Sequence, residues 1–440
     1  MNANEREAFH KGLRLTTPIR IDFLPIATSF VEKASSTFGL GKSEALKLTL
    51  AAEEIFSYLC RVTGTEEDMD ISCFSGLYYG AVEFSFDRRD FNMRALNITA
   101  KISPDSDEGL EEMGLLIAAR SIDHLQIVER EGDKIALTLF KEKEYQAVAD
   151  VQIPEVPYME SCAIQEPSVE DSKTFVNLLN HYYDKFFFPP AFKFPGKVAD
   201  MVLSGEYAAS IALNQRGLIG GGILWRKRGA KTVECFGPYL FHQENNILMA
   251  ESLLNSFLGR IAKTEITGIF CKYSTSHLPE GYFEPLGSVA YIREDGTSAE
   301  HSAFYRQLIE DTGSYVWGAE ELRPFLEKEY RRLVLPREVH VTKYQGEHRD
   351  PHSVFTSQFD RELHEVTLRG IWPGKDALEN LQEHIRIFRE EKLLNIFFEM
   401  DLGVSWQAGL TDPLLTLGFK PCFIIPYGGR SDLVVFQLTI

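Results

Sequence analysis

Two adjacent carboxylates, Glu53 and Glu54, stand in the stretch LAAEEIFSYLCRV at residues 50–62. A carboxylate fixed on a helix can orient or deprotonate an attacking hydroxyl. One helical turn on, at i+4 and so on the same helix face as Glu54, stands Tyr58. The competing reading is an ordinary helix with its charges in water. Further on, FDRRDF supplies Asp87 and Arg89. A guanidinium pairs bidentately with phosphate oxygens. DEGLEEMGLLIA supplies Gly109 and Gly114 at the entry to an apolar helix, where backbone N–H groups can cradle phosphate.

Later segments carry other chemistry. FHQENNILMA and IWPGKDAL are strand-to-helix junctions, with Gln243 and Asn246 in the first and Gly374 and Lys375 in the second. GLIGGGILW sets Gly220, Gly221 and Gly222 inside a strand, which reads as a bulge or as close approach of a ligand. EHRDPHS spaces His348 and His352 by four, but Pro351 makes it a loop and not a helical metal site. No metal site is expected. FFFPPAFKFPG, residues 186–196, suits a lid, a partner surface or core packing equally.

The 440 residues imply several domains. A net charge of −18 argues against nucleic acid and against anionic lipid as partners. The six cysteines form no CxxC pair and read as buried thiols in a reducing compartment. With neither an apolar leader nor a spanning apolar run, the expected location is the cytoplasm, with no membrane contact.

Periodicity gives an α/β (α+β) chain. Residues 15–62 read as strand, helix, helix, the second helix showing an apolar stripe of Leu48, Ala52, Ile55, Leu59 and Val62 behind a Ser43 cap. YGAVEFSFDRRD reads as a strand, LLIAARSIDHL as a helix and QIVEREGDKIALTLFK as a hairpin. Residues 148–160 read as a linker. From residue 161 comes a strand, then helices, three strands, a helix and a strand, ending at YFEPLGSVAYI. HEVTLRGIW, a helix, LNIFFEMDL and PLLTLGFKPCFII then repeat the later part of that order. Gly237 and Gly370 lie 370 − 237 = 133 apart, and Gly287 and Gly418 lie 418 − 287 = 131 apart. Such agreement indicates a diverged duplication.

The element order of residues 1–147 resembles the GHKL (HATPase) superfamily, in particular the anti-sigma-factor serine kinases. That resemblance implies a two-layer α/β sandwich, with Glu54 as the catalytic base, Tyr58 at the Mg²⁺-ligand position and Asp87 on adenine. Arg89 stands at a glycine position, and Gly109 and Gly114 lie in the lid. It implies ATP with Mg²⁺ as cofactor, although the missing amide puts the metal in doubt. Residues 161–330 resemble a GNAT acyltransferase, and residues 331–440 a second, incomplete copy with its TLGF turn intact. Acetyl-CoA or another acyl-CoA would then lie at the junctions holding Gln243, Asn246, Gly374 and Lys375. The junction glycines of that family are replaced here by Asn246 and Leu248. The position of its proton-donating tyrosine is Phe283 in one copy and Leu414 in the other.

Three functions follow as alternatives. One is a bacterial signalling protein with a degenerate ATP-binding domain and a tandem ligand-binding module. Its partner would be a sigma factor or its antagonist, and it would be a homodimer. The second is an acyl-CoA-dependent N-acyltransferase regulated by the first domain. The third is a ligand-free interaction scaffold.

Overall fold

The computed structural model describes residues 12–62, 67–87, 93–100, 107–130, 134–148, 155–243, 246–342 and 349–438. The chain forms an α+β fold that divides into two compact units. The first unit comprises residues 1–144, 349–356 and 370–384, and the second takes the rest.

In the first unit, β1 (Leu13–Pro18), α1 (Leu24–Thr37) and α2 (Lys42–Val62) are followed by the hairpin β2 (Asp68–Ser75) and β3 (Tyr79–Asp87). Then come α3 (Asp107–Ser121) and the hairpin β4 (His124–Arg130) and β5 (Lys134–Glu142). The five strands form an antiparallel sheet in the order β1-β2-β3-β5-β4. Alternate residues turn one face toward the helices. Met69, Ile71 and Cys73 do so from β2, Val82, Phe84 and Phe86 from β3, and Ile135, Leu137 and Leu139 from β5. They meet Leu48, Ala52, Ile55 and Leu59 of α2, so the predicted stripe is a core face. β2 was missing from the sequence reading, although its Met-x-Ile-x-Cys alternation is the period of a half-buried strand. α2 begins at Lys42, one residue ahead of the predicted Ser43 cap.

The second unit opens with β6 (Ala163–Gln165), α4 (Val169–Tyr182), α5 (Pro195–Leu203), β7 (Tyr207–Leu213), β8 (Ile219–Lys227) and β9 (Thr232–Leu240). It continues with α6 (Ile247–Ile261), β10 (Gly268–Tyr273), β11 (Glu284–Ile292) and β12 (Ser298–Gln307). These strands form one sheet in the order β11-β12-β10-β9-β8-β7-β6. Only β9 and β10 run parallel, joined through α6. A small parallel pair, β13 (Ser314–Gly318) and β14 (Arg337–Val341), brackets α7 (Arg323–Arg332).

The remaining elements are β15 (Val354–Asp360), β16 (Glu365–Trp372), α8 (Ala377–Glu390), β17 (Asn395–Asp401), α9 (Ser405–Ala408), α10 (Thr411–Thr416), β18 (Phe419–Ile425) and β19 (Leu433–Leu438). Their sheet has the order β15-β16-β17-β19-β18. This repeats the order β8-β9-β10-β12-β11, and its second and third strands, β16 and β17, are again parallel and joined by a helix. The duplication suggested by glycine spacing is thus present as topology. The unit boundary crosses this second sheet: the start of β15, the end of β16 and the first part of α8 belong to the first unit. There Val354 and Trp372 join its hydrophobic core.

His384 on α8 is fully buried in the first unit, edge-on to Phe355, with Nδ1 2.9 Å from the Asn380 carbonyl. Burial holds its pKa down at about 4, against about 6.5 for a free imidazole. The depressed value means this contribution to stability is complete above about pH 6.5 and is lost as pH falls toward 4. Between pH 7 and pH 5 the loss from this group is about 2 kcal/mol. Urea unfolding of wild type and His384→Gln at the two pH values checks this, the variant showing the smaller decline.

Candidate functional site

The residues expected at a nucleotide site are only partly brought together. Glu54 packs on Gly114 of α3, where an added Cβ would lie 2.1 Å from Oε2 of the glutamate. Burial, and then the neighbouring Glu53, raise the Glu54 pKa above the usual carboxylate range. Neither glutamate is merely solvated, since both are half-buried. Tyr58 is 4% exposed and belongs to the hydrophobic core. A phenol packed in that way is no metal ligand. Asp87 is the last residue of β3, opposite Lys134. Gly109 lies in the first turn of α3, and Arg89 falls outside the described residues.

The junction between β9 and α6 has a defined geometry. His242 takes a left-handed conformation, φ 52°, at the turn out of β9. It leaves Gln243 buried at 1% exposure and lets Asn246 cap α6 by accepting from Met249 N. All three side chains reach the chain's own residues 156–159, in the segment read as a linker. Gln243 Oε1 accepts from Met159 N at 2.8 Å, and its Nε2 donates to Pro157 O at 2.7 Å. Asn246 Nδ2 donates to Met159 O at 3.1 Å, and His242 Nδ1 lies 2.8 Å from Val156 O. Met159 sits over Gly220, where a Cβ would approach its sulfur to 2.6 Å. The glycine run therefore admits side chains of this protein: Met159 at Gly220 and Phe175 at Gly222. Register shifts flank it on both sides, as the bulge reading requires.

The second junction repeats the device. Asp376 Oδ1 accepts from Ser353 N at 2.6 Å, and Asn380 Nδ2 donates to Ser353 O at 2.9 Å. Gln243 and Asp376 are 376 − 243 = 133 apart, the spacing of Gly237 and Gly370, and Asn246 and Asn380 are 380 − 246 = 134 apart. Each junction therefore brackets one peptide residue, one side chain taking its N–H and an asparagine giving to its C=O, but the bracketed segments differ: Met159 lies ahead of β6, whereas Ser353 leads into β15, the counterpart of β8. Asp376 also accepts from Ser353 Oγ and lies 2.9 Å from His352 Nδ1, so this histidine is a hydrogen-bonding partner in a loop. His348 lies outside the described residues. Asn97 adds to the same segment, giving to Ser353 O and accepting from Phe355 N. Gly374 lies against it so closely that a Cβ would come within 2.0 Å of Ser353 N. The Lys375 side chain is exposed, while its N–H donates to Asp350 O.

β9 extends past its last matched pair with β10, Phe236 with Tyr273. Its freed groups find side chains. Thr275 donates to Pro238 O, and the Tyr183 hydroxyl accepts from Leu240 N at 2.7 Å and donates to Leu240 O at 3.0 Å. Burial pushes the Tyr183 phenol up to about 12, so it keeps the proton it donates. Within residues 186–196, Phe188 and Phe192 are core residues, and Phe192 packs on Tyr207 and Phe236. Tyr183 and Met159 were missed from sequence. Their roles depend on backbone groups left over by strand pairing, which leave no local pattern.

No protein-family model matches the chain, and no curated protein does. Among solved structures, it is similar to GNAT acetyltransferases over about a third of its length. A phosphinothricin acetyltransferase of Sinorhizobium meliloti in complex with AcCoA is 18% identical, with 34% of this chain and 91% of that one covered and a TM-score of 0.28. A GNAT-family acetyltransferase of Staphylococcus aureus is 14% identical, covers 34% and 100%, and has a TM-score of 0.26. An aminoglycoside 6′-N-acetyltransferase complexed with coenzyme A is 12% identical, covers 34% and 98%, and has a TM-score of 0.27. Among the described residues no cluster of metal-ligating side chains occurs, and no helix is long and apolar enough to cross a membrane.

Because Gly374 faces backbone, no rotamer change relieves an added methyl group. Gly374→Ala is expected to destabilise the first unit by about 1–3 kcal/mol, the cost typical of overpacking. Urea titration followed by circular dichroism measures it, and Gly259→Ala, where nothing lies within 4 Å of the added carbon, serves as the open-space control.

Proposed function

We propose that this chain is a regulatory binding protein that uses its tandem acetyltransferase-like sheets to hold polypeptide and not to move acyl groups. The observation that supports this is the closure of both strand–helix junctions by the chain's own backbone. At the first junction, Gln243 and Asn246 spend their amides on residues 157–159. A pyrophosphate would have to displace that segment and would meet no glycine at the turn. At the second, Gly374 is packed against the 352–353 backbone. In the first unit, we infer a nucleotide-domain-like sandwich without metal chemistry, since the position for the metal ligand is filled by the core residue Tyr58.

Thermal melts of the full chain with acetyl-CoA, and separately with ATP and Mg²⁺, test both statements. Ligand at a hundred times its Kd stabilises the native state by about 2.7 kcal/mol, which shifts a melt by several degrees. The expected result is no saturable shift with either ligand up to millimolar concentration. A saturable rise with acetyl-CoA would overturn the reading in favour of an acyl-CoA-dependent N-acyltransferase. A Mg²⁺-dependent rise with ATP would restore the nucleotide site.

A further inference from the structure

No further inference is drawn: the strongest candidate, the aromatic face of the β13–β14 pair where the exposed Tyr315 stacks on His340 with Trp317 edge-on to both, carries nothing because nothing in the structure shows what covers it.

Discussion

Parallel strands of unequal length leave peptide groups without partners, and the second unit is arranged around that constraint. β9 outruns β10, so Pro238 and Leu240 must be served from elsewhere. A buried backbone group left unpaired costs about 1–3 kcal/mol. Tyr183 serves two such groups with one hydroxyl, which fixes where the chain leaves α4. The aromatic segment after it is fixed in turn, since Tyr239 donates to Phe187 O and Phe192 fills the core beneath. The FFFPP run is therefore a packed consequence of the strand ending.

The same logic carries to the junctions. A helix that starts directly after a strand exposes N–H groups, and a left-handed turn at His242 presents polar side chains to whatever lies opposite. Here polypeptide lies opposite in both copies. The contacts between the copies are also directional. Gln437 exchanges hydrogen bonds with both backbone groups of Ala290, and Asn395 does the same for Ile292. Arg228 bridges Glu234 and Glu399, and Arg369 takes the other oxygen of Glu399. Burial alone would raise the Glu399 pKa, yet the two guanidiniums hold it well below the usual carboxylate range. Such a network costs desolvation and adds little net stability, but it penalises any other register.

Elements with a clean period were legible in the sequence. The α2 stripe, the β4–β5 hairpin and the repeated strand–helix–strand order all appear as read. β12 to β15 were not legible. SAEHSAFYRQ is a strand with few apolar residues because, along with β11, it keeps many half-exposed positions. What the junction side chains contact was not legible. Gln243, Asn246 and Gly374 were named because junctions hold ligands, yet their partners are residues dozens of positions away in the chain. Hydrophobic periodicity reports burial, and it says nothing about which backbone a buried amide will face. Tyr58 shows the same limit: its i+4 relation to Glu54 is real, but the helix buries a face wide enough to include it.

The clamping side chains stand at corresponding places in the two sheets. They fall 133 and 134 residues apart, matching the glycine spacing in the strands before them. The peptides they hold do not correspond: Met159 lies ahead of β6, whereas Ser353 leads into β15, the counterpart of β8. Gln243 both accepts and donates, whereas Asp376 accepts from both the N–H and the hydroxyl of Ser353, and the donor to the carbonyl is asparagine in both copies. Each pair nonetheless offers one acceptor and one donor, which is what the N–H and C=O of a peptide require.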